Sequence, residues 1–456
     1  MKIKQRILIV NPPQLVYENI RNNEKFIIYR KWQFEYFDSK KTKRLTYISD
    51  LPIGYNNHSF SKKDHQTILA MTYVWDRWLR GSYDPKIFRD QALIEFVKIR
   101  SFFSKNSFKK AIFYTAAPHH IDTSILSSCL HYLGIPEYYL FRIPVGGNYL
   151  VVKGSILFSK RKIENLKFIE FNPLKSIEKF ISNFQLGKTP KMNTQLNWRK
   201  TNFYLSLIIG TIHFIFFSLC NRNKNRYLSS NHSFLRFYRD SISQKKFLNY
   251  YNKISKNCIE YEKIKRKIII VANSQPEATT VPQGGRYTSH FDIVLKIRSI
   301  GYEEKIFYKE HSVTKIYFDT NVGPTGVGGY RSVEYLKSLI NAQISLLPFK
   351  ISNLRNDYKN WLITISSTVA IERSLLGLKT IVAGHPWFEG LPGLIPINQL
   401  SLSLLKKDPG PASLDISYRA KNFLKKKLKN NCLPFLNGKT TAEDVQIHSN
   451  FLKKFI

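Results

Sequence analysis

Apolar residues recur along this chain in two ways. Short unbroken runs bounded by polar or turn residues predict buried strands, and runs spaced three and four apart predict helices facing a core. Ile7–Val10, ending at Asn11-Pro12, reads as a first strand. Ala92, Leu93, Phe96, Val97, Ile99 and Phe102 give Asp90–Phe103 a helical spacing. Ala111–Tyr114 is a second strand. Asp122–Leu133 is a helix that Gly134 can cap, and Ile135-Pro136 leads to a strand at Tyr138–Arg142. Strand, helix and strand in that order predict βαβ units and a parallel sheet.

The pattern changes after residue 186. Gly187–Lys200 is polar and reads as a connector. Phe203–Cys220 is strongly apolar between basic flanks, but it carries Ser206, Gly210, Thr211, His213 and Ser218. A membrane span needs about 20 mostly apolar residues. A buried inter-domain helix therefore fits this run better, and a helix dipping into an anionic membrane surface stays open. From Lys265 the alternation resumes. Strands are expected at Lys267–Ala272, Glu304–Tyr308, Leu362–Ile365 and Thr380–Ala383, with helices at Ser332–Leu346 and Val369–Leu376. Gly377 caps the last of these helices. Asp415–Ile456 is Lys-rich and helical in pattern, and Thr441-Ala-Glu-Asp444 forms a capping box for its final helix.

The expected organisation is an α/β acceptor-side domain over 1–186 and a helical, basic connector over 187–264. A second α/β domain follows over 265–410, with C-terminal helices over 411–456. Two doubly wound halves predict a cleft, with ligands beyond the carboxyl ends of strands.

Composition narrows the partners. The 456 residues are 43% hydrophobic and 14% aromatic, enough to fill real cores. Lys and Arg number 71 against 32 Asp and Glu, a formal charge of +39. Such a field favours an anionic partner: nucleic acid, an anionic membrane leaflet, or an acidic glycan and its sugar nucleotide. The abundance of Lys, Ile, Asn, Phe and Tyr also fits an AT-rich genome, which leaves the excess with a compositional explanation. Cys129, Cys220, Cys258 and Cys432 are scattered, have no zinc spacing, and read as reduced thiols of a cytoplasmic protein. The apolar run at the N-terminus is too short for a signal-peptide core.

Four stretches carry candidate chemistry, and each follows an expected strand. In Leu362-Ile-Thr-Ile-Ser-Ser-Thr-Val-Ala-Ile-Glu-Arg373, Ser366, Ser367 and Thr368 stand where a helix begins, and unpaired first-turn N–H groups there favour an anion. Glu372, one turn on, suits sugar or ribose hydroxyls. The alternative is a plain N-cap with a solvated Glu372. Val271–Arg286 holds Gln275, Pro276, Glu277, Pro282, Gly284 and Gly285, which let the backbone approach a ligand or simply make a turn. Tyr308-Lys-Glu-His-Ser312 offers Lys309 and His311, the latter a donor to a phosphate or leaving group. Gly384-His-Pro-Trp-Phe388 offers His385, with Trp387 or Phe388 to pack against a base or sugar. In the first half, Tyr114-Thr-Ala-Ala-Pro-His-His-Ile-Asp122 contains His120 and Asp122 and reads equally as a helix start.

The series QPEATT–PQGG, YKEH, S-S-T-x-x-x-E and GHPWF resembles the capsule and surface-polysaccharide proteins related to bacterial β-Kdo transferases. The resemblance covers roughly residues 268–392 and is weak over 1–142. It implies a GT-B architecture and a CMP-activated sugar donor, with no resident cofactor and no metal; no DxD pair is evident. By the resemblance, His311 matches the histidine of a His-Pro pair that holds the donor phosphate. Ser366, Ser367 and Thr368 match its hydroxyl partners, and Glu277 falls in the acidic QPE motif. Gln275, Gly284, Gly285, Lys309, Glu372 and His385 complete the donor side. Asp122 or His120, in the family's acceptor-side loop, stands opposite as base or acid. Ser312 departs from the family's proline, which removes a stiffening element from that turn.

The expected function is transfer of a Kdo-like sugar from a nucleotide-sugar donor to a glycan or glycolipid acceptor. The expected location is the cytoplasm, with peripheral contact to the anionic inner-leaflet membrane. The rival reading is a non-catalytic assembly or export protein that keeps the fold. No nucleic-acid-binding module is visible and the lysines are dispersed, so nucleic acid is not an expected partner.

Overall fold

A computed structural model describes residues 6–30, 33–37, 43–48, 51, 85–115, 121–143, 145, 147–154, 162–164, 166, 171–185, 208, 212, 234–256, 268–273, 284–287, 289–311, 332–349, 354–436 and 440–454. The class is mixed α/β, built on two sheets in two compact units. Described residues within Met1–Phe180 and Lys425–Ile456 belong to the first, and those within Ile181–Arg222 and His232–Leu424 to the second.

Among its described residues the first unit holds a nine-stranded sheet. Its centre is four parallel strands in the order β2 (Phe26–Arg30), β1 (Arg6–Val10), β5 (Phe108–Phe113) and β6 (Glu137–Arg142). Antiparallel strands extend it on both sides. β3 (Gln33–Phe37) and β4 (Lys43–Tyr47) lie beyond β2. β7 (Asn148–Lys153) lies beyond β6 and pairs with both β8 (Lys162–Ile163) and β15 (Cys432–Pro434). Helices α1 (Gln14–Ile20), α2 (Pro85–Lys105), α3 (Ile121–Tyr132) and α4 (Leu174–Gln185) come from the N-terminal part of the chain. Ile7, Ile9, Ile28, Ile112, Leu140 and Val151 point to one face, where they meet Phe451 and Leu452 from the C-terminal tail.

That tail corrects one expectation. Asp415–Ile456 is not helical throughout: β15 interrupts it and joins the first sheet by pairing Cys432 with Leu150. Its three residues are fully or nearly buried, so burial overrides the helical pattern of the lysine-rich flanks. The final helix α11 (Ala442–Lys454) starts with the expected capping box. The Asp444 N–H donates to Thr441 Oγ1 at 3.1 Å, and the Thr441 N–H donates to Asp444 Oδ2 at 2.9 Å. His448 on α11 donates Nε2–H to the Pro434 carbonyl at 2.8 Å, and burial pushes its imidazole down to about 4, so it stays neutral.

Among the described residues the second unit holds six strands, all parallel: β11 (Ile344–Leu347), β10 (Ile306–Lys309), β9 (Ile268–Val271), β12 (Trp361–Thr364), β13 (Thr380–Val382) and β14 (Leu394–Pro396), in that spatial order. Numbered from β9, the order is 3-2-1-4-5-6, that of a doubly wound dinucleotide-type sheet. Both faces are covered, as near-continuous apolar strands require. Ile268, Ile270, Ile306, Tyr308 and Ile363 face α5 (Phe234–Lys256), α6 (His290–Ser299) and α7 (Val333–Asn341); Ile269, Phe307 and Leu362 face the side of α8 (Val369–Leu375). Each fully buried Ile contributes about 1.5–3 kcal/mol, against about 1 kcal/mol for a typical hydrogen bond. Apolar burial therefore sets this sheet, and its polar ends are carried on a stiff platform. After the last strand come the four-residue α9 (Leu402–Leu405) and the 15-residue α10 (Leu414–Leu428).

The expected helix over Ser332–Leu346 is also corrected. It stops at Asn341; Gln343 adopts φ 61°, and the chain enters β11. A left-handed residue cannot continue a helix, and Ile344, Leu346 and Leu347 are buried beside β10. Among the described residues no helix is long and apolar enough to cross a membrane. The apolar run Phe203–Cys220 lies outside the described residues except for Ile208 and Ile212, which are helical and exposed.

Candidate functional site

In a sheet of order 3-2-1-4-5-6, the crevice opens between the first and fourth strands, at their carboxyl ends. Here those strands are β9 and β12. Asn273 stands two residues beyond β9. Its amide Nδ2 donates to Ser366 Oγ at 3.3 Å, and its Oδ1 accepts from Thr364 Oγ1 at 3.1 Å. Its backbone N–H donates to Nε2 of His290 at 3.1 Å, so that ring nitrogen carries the lone pair. Asn273, Ser366, Thr364 and His290 are all buried. This buried network fixes the switch point itself. Asn273 and His290 escaped the sequence reading; the signal for Asn273 was a polar residue directly after an unbroken apolar strand.

The neighbouring strand ends continue the same edge. Ala272 N–H donates to the Lys309 carbonyl at 2.9 Å, and Gly384 N–H donates to the Ile365 carbonyl at 2.9 Å. The ends of β10, β9, β12 and β13 therefore run side by side. They carry Lys309 and His311, then Asn273, then Ser366, Ser367 and Thr368, and then His385. Gly285 adopts φ +53°, and a Cβ there would lie 4.0 Å from His385 Cδ2. Gly284, Gly285 and His385 thus share one locality, although they are 100 residues apart in sequence.

The β10 end is held by a buried acid. Glu310 is fully buried; its Oε2 accepts from Tyr308 OH at 3.0 Å, and its Oε1 accepts from the His311 N–H at 2.7 Å. Its own N–H donates to Tyr251 OH at 2.9 Å, which ties it to α5. Glu310 fixes the His311 backbone and leaves the imidazole half-buried at the edge. Lys309 is buried beside it, with Nζ 3.4 Å from the Glu310 carbonyl. Burial pulls the Lys309 ammonium below its ordinary range, and the adjacent Glu310 opposes that shift.

The β12 end leads into α8. Thr368 is the N-cap but makes no side-chain cap bond; Ser367 Oγ accepts from the Val369 N–H at 3.4 Å. The Thr368 hydroxyl is therefore not consumed by capping. Glu372 is half-buried, and burial lifts its carboxyl to about 7, with Arg355 opposing. It is not the fully solvated side chain of the plain N-cap alternative. Arg373, fully buried, anchors α8 from behind. Its guanidinium donates to Asp357 O at 2.6 Å, Lys379 O at 3.0 Å, Thr380 Oγ1 at 3.0 Å and Leu354 O at 3.1 Å. Burial lowers its pKa to about 10, still well above neutrality.

Some expected residues fall elsewhere. Trp387 and Phe388 are buried against each other, ring centroids 5.4 Å apart, and Phe388 is 1% exposed. They serve the core rather than a base or sugar, because the chain turns inward after His385. Asp122 belongs to the first unit, where its Oδ2 accepts from Tyr29 OH at 3.1 Å in the first turn of α3. Gln275, Glu277, His120 and Ser312 lie outside the described residues.

No protein-family profile matches the chain. No curated protein matches it at a significant level. Solved structures are similar to it at low identity, two of them as follows. One is the β-Kdo 2,7-transferase KpsC of Thermosulfurimonas dismutans, with 9% identity and TM-score 0.30, covering 85% of this chain and 97% of that one. The other is the UDP-GlcNAc 2-epimerase of Methanocaldococcus jannaschii in complex with UDP-GlcNAc and UDP, with 11% identity and TM-score 0.22, covering 99% of each chain.

Taken chemically, the described edge offers the Glu372 carboxyl, the imidazoles of His311 and His385, a buried amine and a group of hydroxyls on adjacent strand ends. Such a set can hydrogen-bond a phosphate and the hydroxyls of an attached sugar. Among the described residues no three His, Cys, Asp or Glu side chains converge as a metal site would require.

Proposed function

We propose that this chain is a glycosyltransferase of capsule or other surface-polysaccharide synthesis, using a nucleotide-activated sugar and, at the finer level, a CMP-activated Kdo-like donor. The observation that carries the proposal is the doubly wound order of the second sheet, with His311, Ser366, Ser367, Thr368 and His385 on its carboxyl edge. The described parts of the motif series that resembles β-Kdo transferases, Lys309–His311, Ser366–Glu372 and Gly384-His385, follow strands of that same sheet.

In this reading His311 and the Ser366–Thr368 turn receive the leaving phosphate. Charge that develops on it meets fixed donors rather than reorganising water. Glu372 accepts hydroxyls of the ribose or sugar, and the positive field of the whole chain raises the local concentration of an anionic donor. Glu277 of the QPE motif, or Asp122 on the acceptor side, serves as base or nucleophile, with His120 as the alternative acid or base on the acceptor side. The acceptor is a glycan or glycolipid, reached from the cytoplasmic face of the inner membrane.

The test is release of CMP from CMP-Kdo by the purified chain with a glycolipid acceptor. Acceptor-dependent release is expected, and His311→Ala should lower it by about a hundredfold, the usual loss for one oxyanion donor. Unchanged release in that variant removes His311 from the mechanism. CMP binding without turnover would instead assign the chain to the non-catalytic assembly role.

A further inference from the structure

We infer that the first unit carries a separate carbohydrate site, for a sugar ring bearing one anionic group. A cavity of about 250 Å³ lies against α1 and the β2–β3 pair, lined among the described residues by Tyr17, Ile28, Arg30, Gln33 and Glu35. Pockets for drug-sized ligands run to roughly 300–1,000 Å³, so this one suits a single ring.

The sheet places these residues together. In the antiparallel pair, Ile28 stands opposite Glu35 and Arg30 opposite Gln33. Successive strand side chains point to opposite faces. These four share one face, whereas Tyr29 and Phe34 occupy the other, with ring centroids 5.1 Å apart. Asp122 bonds Tyr29 on that other face. The cavity is therefore distinct from the acceptor-side carboxylate.

Its polar groups are held in place but not saturated. The Arg30 guanidinium lies 4.8 Å from the centre of the Tyr17 ring, and its Nη1 donates to Gln14 Oε1 at 3.2 Å. Among the described residues its remaining donors make no other hydrogen bond, and five N–H groups are present in all. Glu35 is 8% exposed. Its Oε2 accepts from Tyr17 OH at 2.8 Å, and its Oε1 pairs with Lys43 Nζ at 2.6 Å without an aligned hydrogen bond. An ionised carboxylate has about four acceptor positions, so lone pairs remain for a ligand. A carboxylate needs donors, which sugar hydroxyls supply. An arginine fork needs an acceptor, which a carboxylate or phosphate supplies. Gln33 serves either role, and buried Ile28 gives the apolar C–H side of a ring something to rest on. Two cations, Arg30 and Lys43, stand against one acid, which disfavours a cationic ligand. The combination selects hydroxyls and an anion on one molecule.

The inference goes beyond the donor reading and does not depend on it. The experiment is saturation-transfer NMR on the full chain with methyl glucuronide, glucose 6-phosphate and neutral methyl glucoside, with no nucleotide present. Saturable signals from an anionic sugar are expected, with the neutral one about tenfold weaker. Arg30→Gln, a change at a partly exposed position, should remove that preference. The stronger of the two anionic sugars identifies carboxylate or phosphate as the group held. Silence from all three sugars, or an anionic preference that survives Arg30→Gln, overturns the inference and leaves the donor site untouched. Absence of CMP binding in a separate titration would overturn the donor reading and leave this inference untouched.

Discussion

Glu372 is the candidate-site residue whose protonation its surroundings change most clearly. Burial raises its carboxyl from the ordinary 4.5 to about 7. A raised folded pKa means that the folded state holds the proton more tightly than the unfolded chain. The stability from this group is therefore complete below about pH 4.5, and it is lost as pH rises through about 7. Glu372→Gln, which has no charge to desolvate, should gain on the wild type as pH rises from 5 to 8. Thermal melts of both proteins across that range check this; a difference independent of pH would contradict it. The sequence placed Glu372 one turn inside α8 but could not reveal its burial, which comes from the packing around the Arg355 turn. Lys309 behaves alike: the sequence offered a charge, and the fold surrounds it with protein beside Glu310.

At the scale of elements, Gly377 ends α8 with φ +80°, and a Cβ there would lie 2.3 Å from the Ser413 carbonyl oxygen. No ordinary contact is that short, and the conformation itself costs an L-residue about 1–2 kcal/mol. Gly377→Ala should lower unfolding stability by about 2 kcal/mol or more; a neutral result in urea titration would contradict the close approach. This cap was legible in the sequence because glycine follows the last helical residue. Strands β1, β5, β6, β9, β12 and β13 were legible because each is an apolar run ended by a polar or turn residue. β3 and β4 were not singled out, since Gln33–Phe37 and Lys43–Tyr47 mix charge with aromatics and lean on their neighbours; β2 and β7 were passed over although Phe26–Tyr29 and Tyr149–Val152 are apolar runs ended by Arg30 and Lys153. β11 was absorbed into a helix because nothing local announces the left-handed turn at Gln343. The candidate edge was more legible than the strands that complete its sheet. Polar residues after apolar runs mark strand ends directly, while the network through Asn273 and His290 depends on residues 17 apart in sequence.

At the scale of the whole chain, the sequence conveyed the α/β class, two alternating halves and an excess of 39 positive charges. It did not convey that the tail closes the first sheet through β15, because pairing across nearly three hundred residues leaves no local trace. The charge gives an anionic ligand a favourable field everywhere and so does not locate it; the proposed site rests instead on the strand order, whose switch point lies between β9 and β12. The most direct measurement is a crystal structure of the full chain soaked with CMP. The expected result is the nucleotide over the carboxyl edge of the second sheet, its phosphate within hydrogen-bond reach of Ser366, Ser367 or Thr368. CMP bound elsewhere, or no CMP at saturating concentration, would contradict a nucleotide-sugar site on that edge.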